Sequence, residues 1–392
     1  MEKAKSFLSK NAMFIGLIVV MLLFEMLIRS SGRGTMLLSP FHLTNLISQN
    51  GYVVILATGM LLCILTGGNI DLSVGSVVIL VSAIAGVLIV DMGVNVYVTI
   101  LICLLTGTAI GAWQAFLIAY LRVPPFVTTL AGMLIFRGIA LLILGAQSIS
   151  PFPDNYRVLF NSFIPGAGSD PAFIQNLSLT LAVVVCVGFI GLQIFSRISK
   201  ERKGYTVESI YSMLARIIII SGVVMFVFTR LGENRGIPIL LVWLAAIVMI
   251  YSYFTQNTIP GRYLYAMGGN EKAARLSGIN TKRMKFFAYT NMGFLSAVAA
   301  LVCVARFNAA TTTVGVGFEL DAIGACFIGG ASAYGGIGRV GGAVIGAIFM
   351  GVLDMGMSIM GLDVNLQRVI KGSVLLAAVI FDVMSKSRKQ AA

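Results

Sequence analysis

Charged residues are scarce in this sequence of 392 residues: they make up 11% of it, whereas hydrophobic residues make up 58%. A soluble domain carries roughly a quarter charged residues, so this chain cannot cover itself with a water-soluble surface. A membrane-spanning helix needs about 20 mostly apolar residues, and the sequence contains many such runs. Membrane lipid is therefore the solvent that we expect for much of the chain.

Residues that carry catalytic or metal chemistry are also few. The one histidine, His42, leaves neither a Ser/His/Asp arrangement nor a His-rich metal site. The Walker pattern for ATP requires Gly-Lys before Ser or Thr, and the sequence contains no Gly-Lys pair. The five cysteines lie in or beside apolar runs without a CxxC pair, so we expect buried, reduced thiols. We expect no enzyme activity, no cofactor and no metal site in this chain.

The apolar runs predict an all-α fold: a polytopic transmembrane helical bundle of 10–12 spans, some broken or short, in a single domain over 1–392. The runs lie near 12–28, 51–66, 74–92, 96–121, 126–145, 176–195, 215–230, 237–255, 286–305, 320–334, 340–360 and 368–384.

The formal net charge of +13 comes from 28 basic residues against 15 acidic ones. The basic residues stand in short clusters between apolar runs, which argues against a nucleic-acid surface and follows the positive-inside pattern. Lys3, Lys5 and Lys10 precede the run at 12–28, which no small-residue cleavage site follows, so we interpret that run as an uncleaved first span.

Alternating the spans from a cytoplasmic N-terminus places most basic residues on inner segments and a minority, with Arg368 and Lys371 among them, on outer ones. This bias predicts that both termini are cytoplasmic.

Two polar loops are long. The outer loop, 146–175, is rich in proline and glycine and predicts turns and irregular chain. The inner loop, 256–285, contains a predicted short helix at 271–277, with Asn270 as its N-cap and Gly278 after its end. This helix fits contact with a soluble partner, and a solvated loop is the alternative.

The stretch GGNIDLSVGS at 67–76 interrupts two apolar runs with glycine and polar residues. Unwound backbone within a membrane must be buried in protein or line a wet cavity. Asp71 is therefore expected either to cap the helix that begins near Val74 or to line a pathway. Arg137, inside an apolar run, needs an acidic partner, for which Asp71, Glu319 and Asp321 are the candidates.

Four ordered stretches carry a family likeness: GGNIDLSVGS (67–76), VPPFVTTLAGMLIFRGIA (123–140), YAMGGNEKAARLSGIN (265–280) and ELDAIGACFIGGASAYGGIGRVGGAVIGA (319–347). They resemble the permease subunits of bacterial ABC importers for monosaccharides, which include ribose, galactose and D-xylose permeases. The D-xylose type is the most similar in length. The likeness is weak between about 146 and 257.

The resemblance implies a homodimer in the bacterial inner membrane, a separate cytoplasmic ATP-binding subunit, an extracytoplasmic sugar-binding protein and a monosaccharide substrate. It places the family's coupling helix, which contacts the ATP-binding subunit, at Gly268, Gly269, Asn270, Glu271, Ala273, Ala274, Arg275, Leu276, Ser277 and Gly278. The candidates for the translocation pathway are Asn69, Asp71, Ser73, Thr128, Thr129, Arg137 and Asp321.

Two rival interpretations remain. The same architecture serves other small solutes, such as branched-chain amino acids or nucleosides, although the full GGNIDLSVGS form favours sugars. A secondary transporter would require a relay of acids within the membrane, whereas the acids here are few and scattered.

Overall fold

The computed structural model describes residues 12–30, 37–145, 147–166, 168–204 and 209–390, so Lys3, Lys5 and Lys10 lie outside the described residues. Up to the middle of the chain, the elements are α1 (Ala12–Ser30), α2 (Pro40–Leu65), α3 (Val74–Gly86, continued by a π-helix at Val87–Asp91), α4 (Val96–Ala119), α5 (Pro125–Leu144), α6 (Asp154–Asn161), β1 (Phe163–Ile164) and α7 (Pro171–Arg202). The remaining elements are α8 (Ile210–Gly232), β2 (Ile237–Pro238), α9 (Ile239–Asn257), α10 (Ile259–Gly269), α11 (Glu271–Leu276), α12 (Thr281–Phe307), α13 (Phe318–Ile328), α14 (Val340–Ile359) and α15 (Val364–Gln390).

The predicted helical bundle is confirmed. Within the described ranges, 11 helices are long and apolar enough to cross a membrane, which falls inside the predicted range of 10–12. Each coincides with one of the predicted apolar runs, because a run of about 20 apolar residues satisfies its backbone and its lipid environment only as a helix.

The predicted run at 320–334 is not a continuous helix. Helix α13 has 11 residues, about 16 Å at 1.5 Å per residue, and ends at Ile328. The glycine-rich residues 329–339, here called the glycine turn, follow it as turns and extended chain. We call residues 318–339 together the broken span.

The broken span runs beside α2 in the same direction. Phe318 stacks on Tyr52 with 3.8 Å between the ring centroids. The Cys326 thiol donates a hydrogen bond to the Ala57 carbonyl at 3.2 Å, and the Gly336 N–H donates to the Leu65 carbonyl at 3.3 Å. The broken span therefore follows α2 from Tyr52 to the end of that helix.

The prediction of irregular chain across 146–175 is wrong in part, because α6 forms there. Its buried face carries Tyr156 and Phe160, and the Tyr156 hydroxyl donates to the Leu301 carbonyl of α12 at 2.8 Å. The sequence did not indicate this helix, because two prolines precede it and because Asp154, Asn155 and Arg157 lower its mean hydropathy.

The chain divides into two compact units: Met1–Leu37 with Ser48–Asn161 and Leu240–Ala392, and Leu38–Ile47 with Ser162–Ile239. In the first unit, α4 packs on α12 through small residues; a Cβ at Gly107 would lie 2.6 Å from the Gly293 carbonyl oxygen. Such contacts let two helix backbones approach closely in a membrane. In the second unit, α7 and α8 form a hairpin, and β1 pairs antiparallel with β2.

Candidate functional site

The short helix α11 forms where the sequence predicted it, one residue shorter. The Asn270 Oδ1 accepts a hydrogen bond from the Ala273 N–H at 3.0 Å, which confirms the predicted N-cap. Gly278 has φ +87° just after the helix, and the Ile279 N–H donates to the Ala274 carbonyl at 3.1 Å. Residues 268–278, here called the coupling segment after their predicted role, thus contain the last two residues of α10 and the helix α11, which is stopped at both ends.

The coupling segment presents a mixed apolar and basic surface. Ala274 is buried, whereas Arg275 is exposed and Leu276 is 90% exposed. Lys285 on α12 pairs with Glu271 at 2.9 Å, which fixes α11 to the next spanning helix. The segment therefore presents one large apolar side chain and one cation outside the spanning helices.

Three glycine-rich stretches of the sequence meet at the base of the coupling segment. A Cβ at Gly268 would lie 2.0 Å from the Leu65 carbonyl oxygen and 2.3 Å from the Gly336 nitrogen, so backbones touch with no side chain between them. A Cβ at Gly68 would likewise lie 2.0 Å from the Ala333 carbonyl oxygen. The coupling segment is therefore in direct backbone contact with α2 and with the glycine turn.

Asp71 is 2% exposed and lies between the spanning helices α2 and α3. Its carboxylate accepts hydrogen bonds from the Ser73 N–H at 2.8 Å and from the Ser73 hydroxyl at 2.7 Å. Asp71 therefore binds the N-cap residue and does not itself cap α3.

The sequence reasoning missed Gln114, which completes this network. The Gln114 amide bonds to the Ser73 hydroxyl from α4 at about 3 Å, and both side chains are buried. The signal that could have identified Gln114 is an amide side chain in the middle of an otherwise apolar run. Asn69, half-buried, donates to Thr66.

The remaining pathway candidates fall into two groups. Thr128 and Thr129 are buried on α5, and their hydroxyls donate to the carbonyls of Pro124 and Pro125 one turn earlier. Arg137 is half-buried on α5, and its pairing with Asp71, Glu319 or Asp321 stays a prediction.

Asp321 is held in a cluster with Lys371, Asp354 and Tyr52. The Lys371 ammonium lies 2.8 Å from the Asp321 Oδ1 and 2.8 Å from the Asp354 Oδ2, and the Tyr52 hydroxyl donates to the Asp321 Oδ2 at 2.8 Å. Placing Lys371 on an outer segment is wrong, because it lies inside α15 and forms two ion pairs there.

The site offers hydrogen-bonding and electrostatic groups on helices and turns. Across the described ranges, no group of three or more His, Cys, Asp or Glu side chains is placed to hold a metal ion. The arrangement can hold backbone segments against one another and present an exposed short helix to a partner.

The family model and the similar proteins all indicate a transport permease. Residues 42–379 match the family model described as "Branched-chain amino acid transport system / permease component". The chain is 35% identical over 351 residues to the xylose transport system permease protein XylH of Escherichia coli K12, covering 90% of this chain and 87% of the relative. It is 34% identical to XylH of Haemophilus influenzae over 90% of this chain and 91% of the relative. The ribose import permease protein RbsC of Escherichia coli K12 is 32% identical over 87% of this chain and 85% of the relative. No solved structure matches the chain.

Proposed function

The chain belongs to the family of permease components of branched-chain amino acid transport systems, and from this premise we propose that it is the membrane-spanning permease subunit of an ATP-driven monosaccharide importer of the bacterial inner membrane. The observation that carries the proposal is identity of 32–35% to xylose and ribose permeases along nearly the whole chain. The relatives at this identity are named for sugars, whereas amino acids appear in the broader family description.

A deletion strain tests the solute class. Uptake of labelled xylose, ribose, galactose and leucine is measured with and without the gene for this chain on a plasmid. We expect uptake of one of the sugars to depend on the gene, and leucine uptake to be unchanged. Loss of leucine uptake alone would assign the chain to amino acids.

The coupling segment is proposed as the docking site for a separate cytoplasmic ATP-binding subunit. The residues proposed to form it are Gly268, Gly269, Asn270, Glu271, Ala273, Ala274, Arg275, Leu276, Ser277 and Gly278. Its exposed Leu276 offers an apolar anchor and Arg275 a cation for an acidic surface. The absence of a Gly-Lys phosphate-binding motif from the sequence supports a separate motor.

The orientation of the chain follows from this docking site. Met13 at the start of α1 lies beside Gly330, and Asp382 near the end of α15 bonds to Ala333, so both helix ends lie at the glycine turn beside the coupling segment. We propose that this end is cytoplasmic and that both termini are therefore inside. Alkaline phosphatase fused after residue 392 is expected to be inactive, and an active fusion would contradict the orientation.

The predicted outer loop, residues 146–175, is proposed to receive an extracytoplasmic sugar-binding protein. Helix α6 exposes Asp154, Asn155 and Val158 there. The pathway is proposed to run between two copies of this chain, with weak polar groups along it: Asn69, Asp71, Ser73, Thr128, Thr129, Arg137 and Asp321. Weak contacts suit this role because the binding protein would supply the affinity. Since most of these side chains are buried in the described conformation, the proposal requires helix movement to expose them.

A further inference from the structure

The broken span leaves backbone polar groups within the bundle that its own short helix cannot satisfy. An 11-residue helix covers about half of a hydrocarbon core about 30 Å thick. Backbone groups at that depth must find partners within the protein. Contacts with neighbouring helices of the same chain therefore determine whether the broken span is rigid or mobile.

Helix α15 supplies partners near both ends of the broken span. Near the start, the Lys371 ammonium binds the Asp321 carboxylate at 2.8 Å. Near the other end, the Asp382 carboxylate accepts a hydrogen bond from the Ala333 N–H at 3.1 Å. Lys371 and Asp382 are separated by about three helical turns, so they project from one face of α15.

The first of these contacts is shared with two more helices. Lys371 also binds Asp354 on α14, and Tyr52 on α2 donates to the second oxygen of Asp321. Asp321 is 3% exposed, so its carboxylate is shielded from water and depends on these partners. The start of the broken span is thereby fixed to α2, α14 and α15.

The far end of the broken span touches the chain that leads into the coupling segment. The Tyr265 hydroxyl on α10 donates to the Gly338 carbonyl at 2.9 Å, and Gly268 packs backbone to backbone on Gly336. A displacement of the coupling segment therefore acts directly on the glycine turn, as it does on α2 and α12.

We propose that α15 is a splint for the broken span, and that Lys371 and Asp382 are positioning residues for transport. With both ends held, a displacement of the coupling segment is carried along the broken span into the bundle. Without the contacts to α15, the glycine turn deforms and the displacement does not reach the bundle. The inference about transport rests on the proposed function, whereas the inference about rigidity does not.

The test of rigidity uses Cys326, the α13 thiol, which is fully buried against α2. In the full-length chain with Cys63, Cys103, Cys186 and Cys303 replaced by alanine, labelling of Cys326 by N-ethylmaleimide is followed in detergent. We expect Lys371→Met and Asp382→Leu to raise the labelling rate at least tenfold. Asp382→Asn, which keeps an acceptor for the Ala333 N–H, and Arg368→Gln, which removes an exposed charge from the same helix, are expected to label as slowly as the parent.

The outcomes separate the parts of the proposal. Unchanged labelling in Asp382→Leu overturns the splint, and so does equally fast labelling in Asp382→Asn and Asp382→Leu. The Asp382 pair decides the matter even where Lys371→Met aggregates, because Asp382→Asn keeps an acceptor for the Ala333 N–H and Asp382→Leu does not.

Uptake in the deletion strain is measured on the same variants with their cysteines restored. We expect at least a tenfold loss for Asp382→Leu and near-normal uptake for Asp382→Asn. Fast labelling with normal uptake overturns the transmission role. A parent chain that supports no sugar uptake counts against the proposed function and leaves the labelling result standing.

Discussion

One cation balances two carboxylates of other helices in the described bundle: Lys371 on α15 lies between Asp321 of the broken span and Asp354 of α14. A carboxylate within a membrane protein is costly unless such a partner or hydrogen bonds compensate it. Sequence reasoning identified the need for partners but placed Lys371 outside, because a cation about two turns into a helix has the same sequence neighbours as one in a flanking loop.

Removing Lys371 is expected to destabilise the chain far more than removing Asp354. Lys371→Met leaves two carboxylates without their shared cation and should cost about 3–5 kcal/mol, as for other broken buried pairs. Asp354→Asn leaves the Lys371–Asp321 pair and should cost much less. Thermal unfolding of the purified variants in detergent measures the difference, and equal losses would contradict this account of the cluster.

Gly268 and Gly269 offer a matched pair. A Cβ at Gly268 would lie within 2.3 Å of backbone atoms of two other segments, whereas a Cβ at Gly269 meets nothing within 4 Å. We expect Gly268→Ala to lower the stability by about 1–3 kcal/mol through overpacking and Gly269→Ala to leave it unchanged. The unfolding temperatures of the two variants test this prediction. An unchanged unfolding temperature in Gly268→Ala would show that the three-way backbone contact is loose.

Among the helices, the eleven long spans follow directly from composition, because an apolar run of sufficient length has one stable conformation in lipid. The coupling helix was also predicted with its cap, since Asn270 and Gly278 are local signals. Broken or short spans were predicted, but the point at which the helix within 320–334 ends was not. Cys326 and Ile328 continue an apolar run, and the end of the helix depends on contacts of the glycine turn with α2 and α10. Long-range contacts of this kind leave no periodic trace in a single sequence.

Leu276 is the residue of the coupling helix whose loss should weaken the docking of an ATP-binding subunit most. Burying a leucine is worth about 1.5–3 kcal/mol, so Leu276→Ser should weaken binding of that subunit about tenfold or more. Lys282→Gln, an exposed change on the neighbouring α12, serves as the control. Co-purification of the two subunits from membranes measures the effect, and equal recovery with Leu276→Ser would refute the proposed docking site.

For the whole molecule, composition and motif order were sufficient to identify a membrane permease, and the comparisons confirm that family over residues 42–379. Individual solute contacts were less predictable. Thr128 and Thr129 bond to their own helix, and Asp71 is enclosed by Ser73. The proposed pathway therefore requires helix movement that exposes these side chains.

We propose that this chain is the passage of an importer and that a separate subunit is its motor. The most direct test reconstitutes the purified chain in liposomes with the proposed ATP-binding subunit and the proposed sugar-binding protein, and measures labelled sugar inside the liposomes. The account predicts accumulation only when ATP and all three proteins are present, and none when any one is omitted. Accumulation by this chain alone, driven by an ion gradient without ATP, would contradict it.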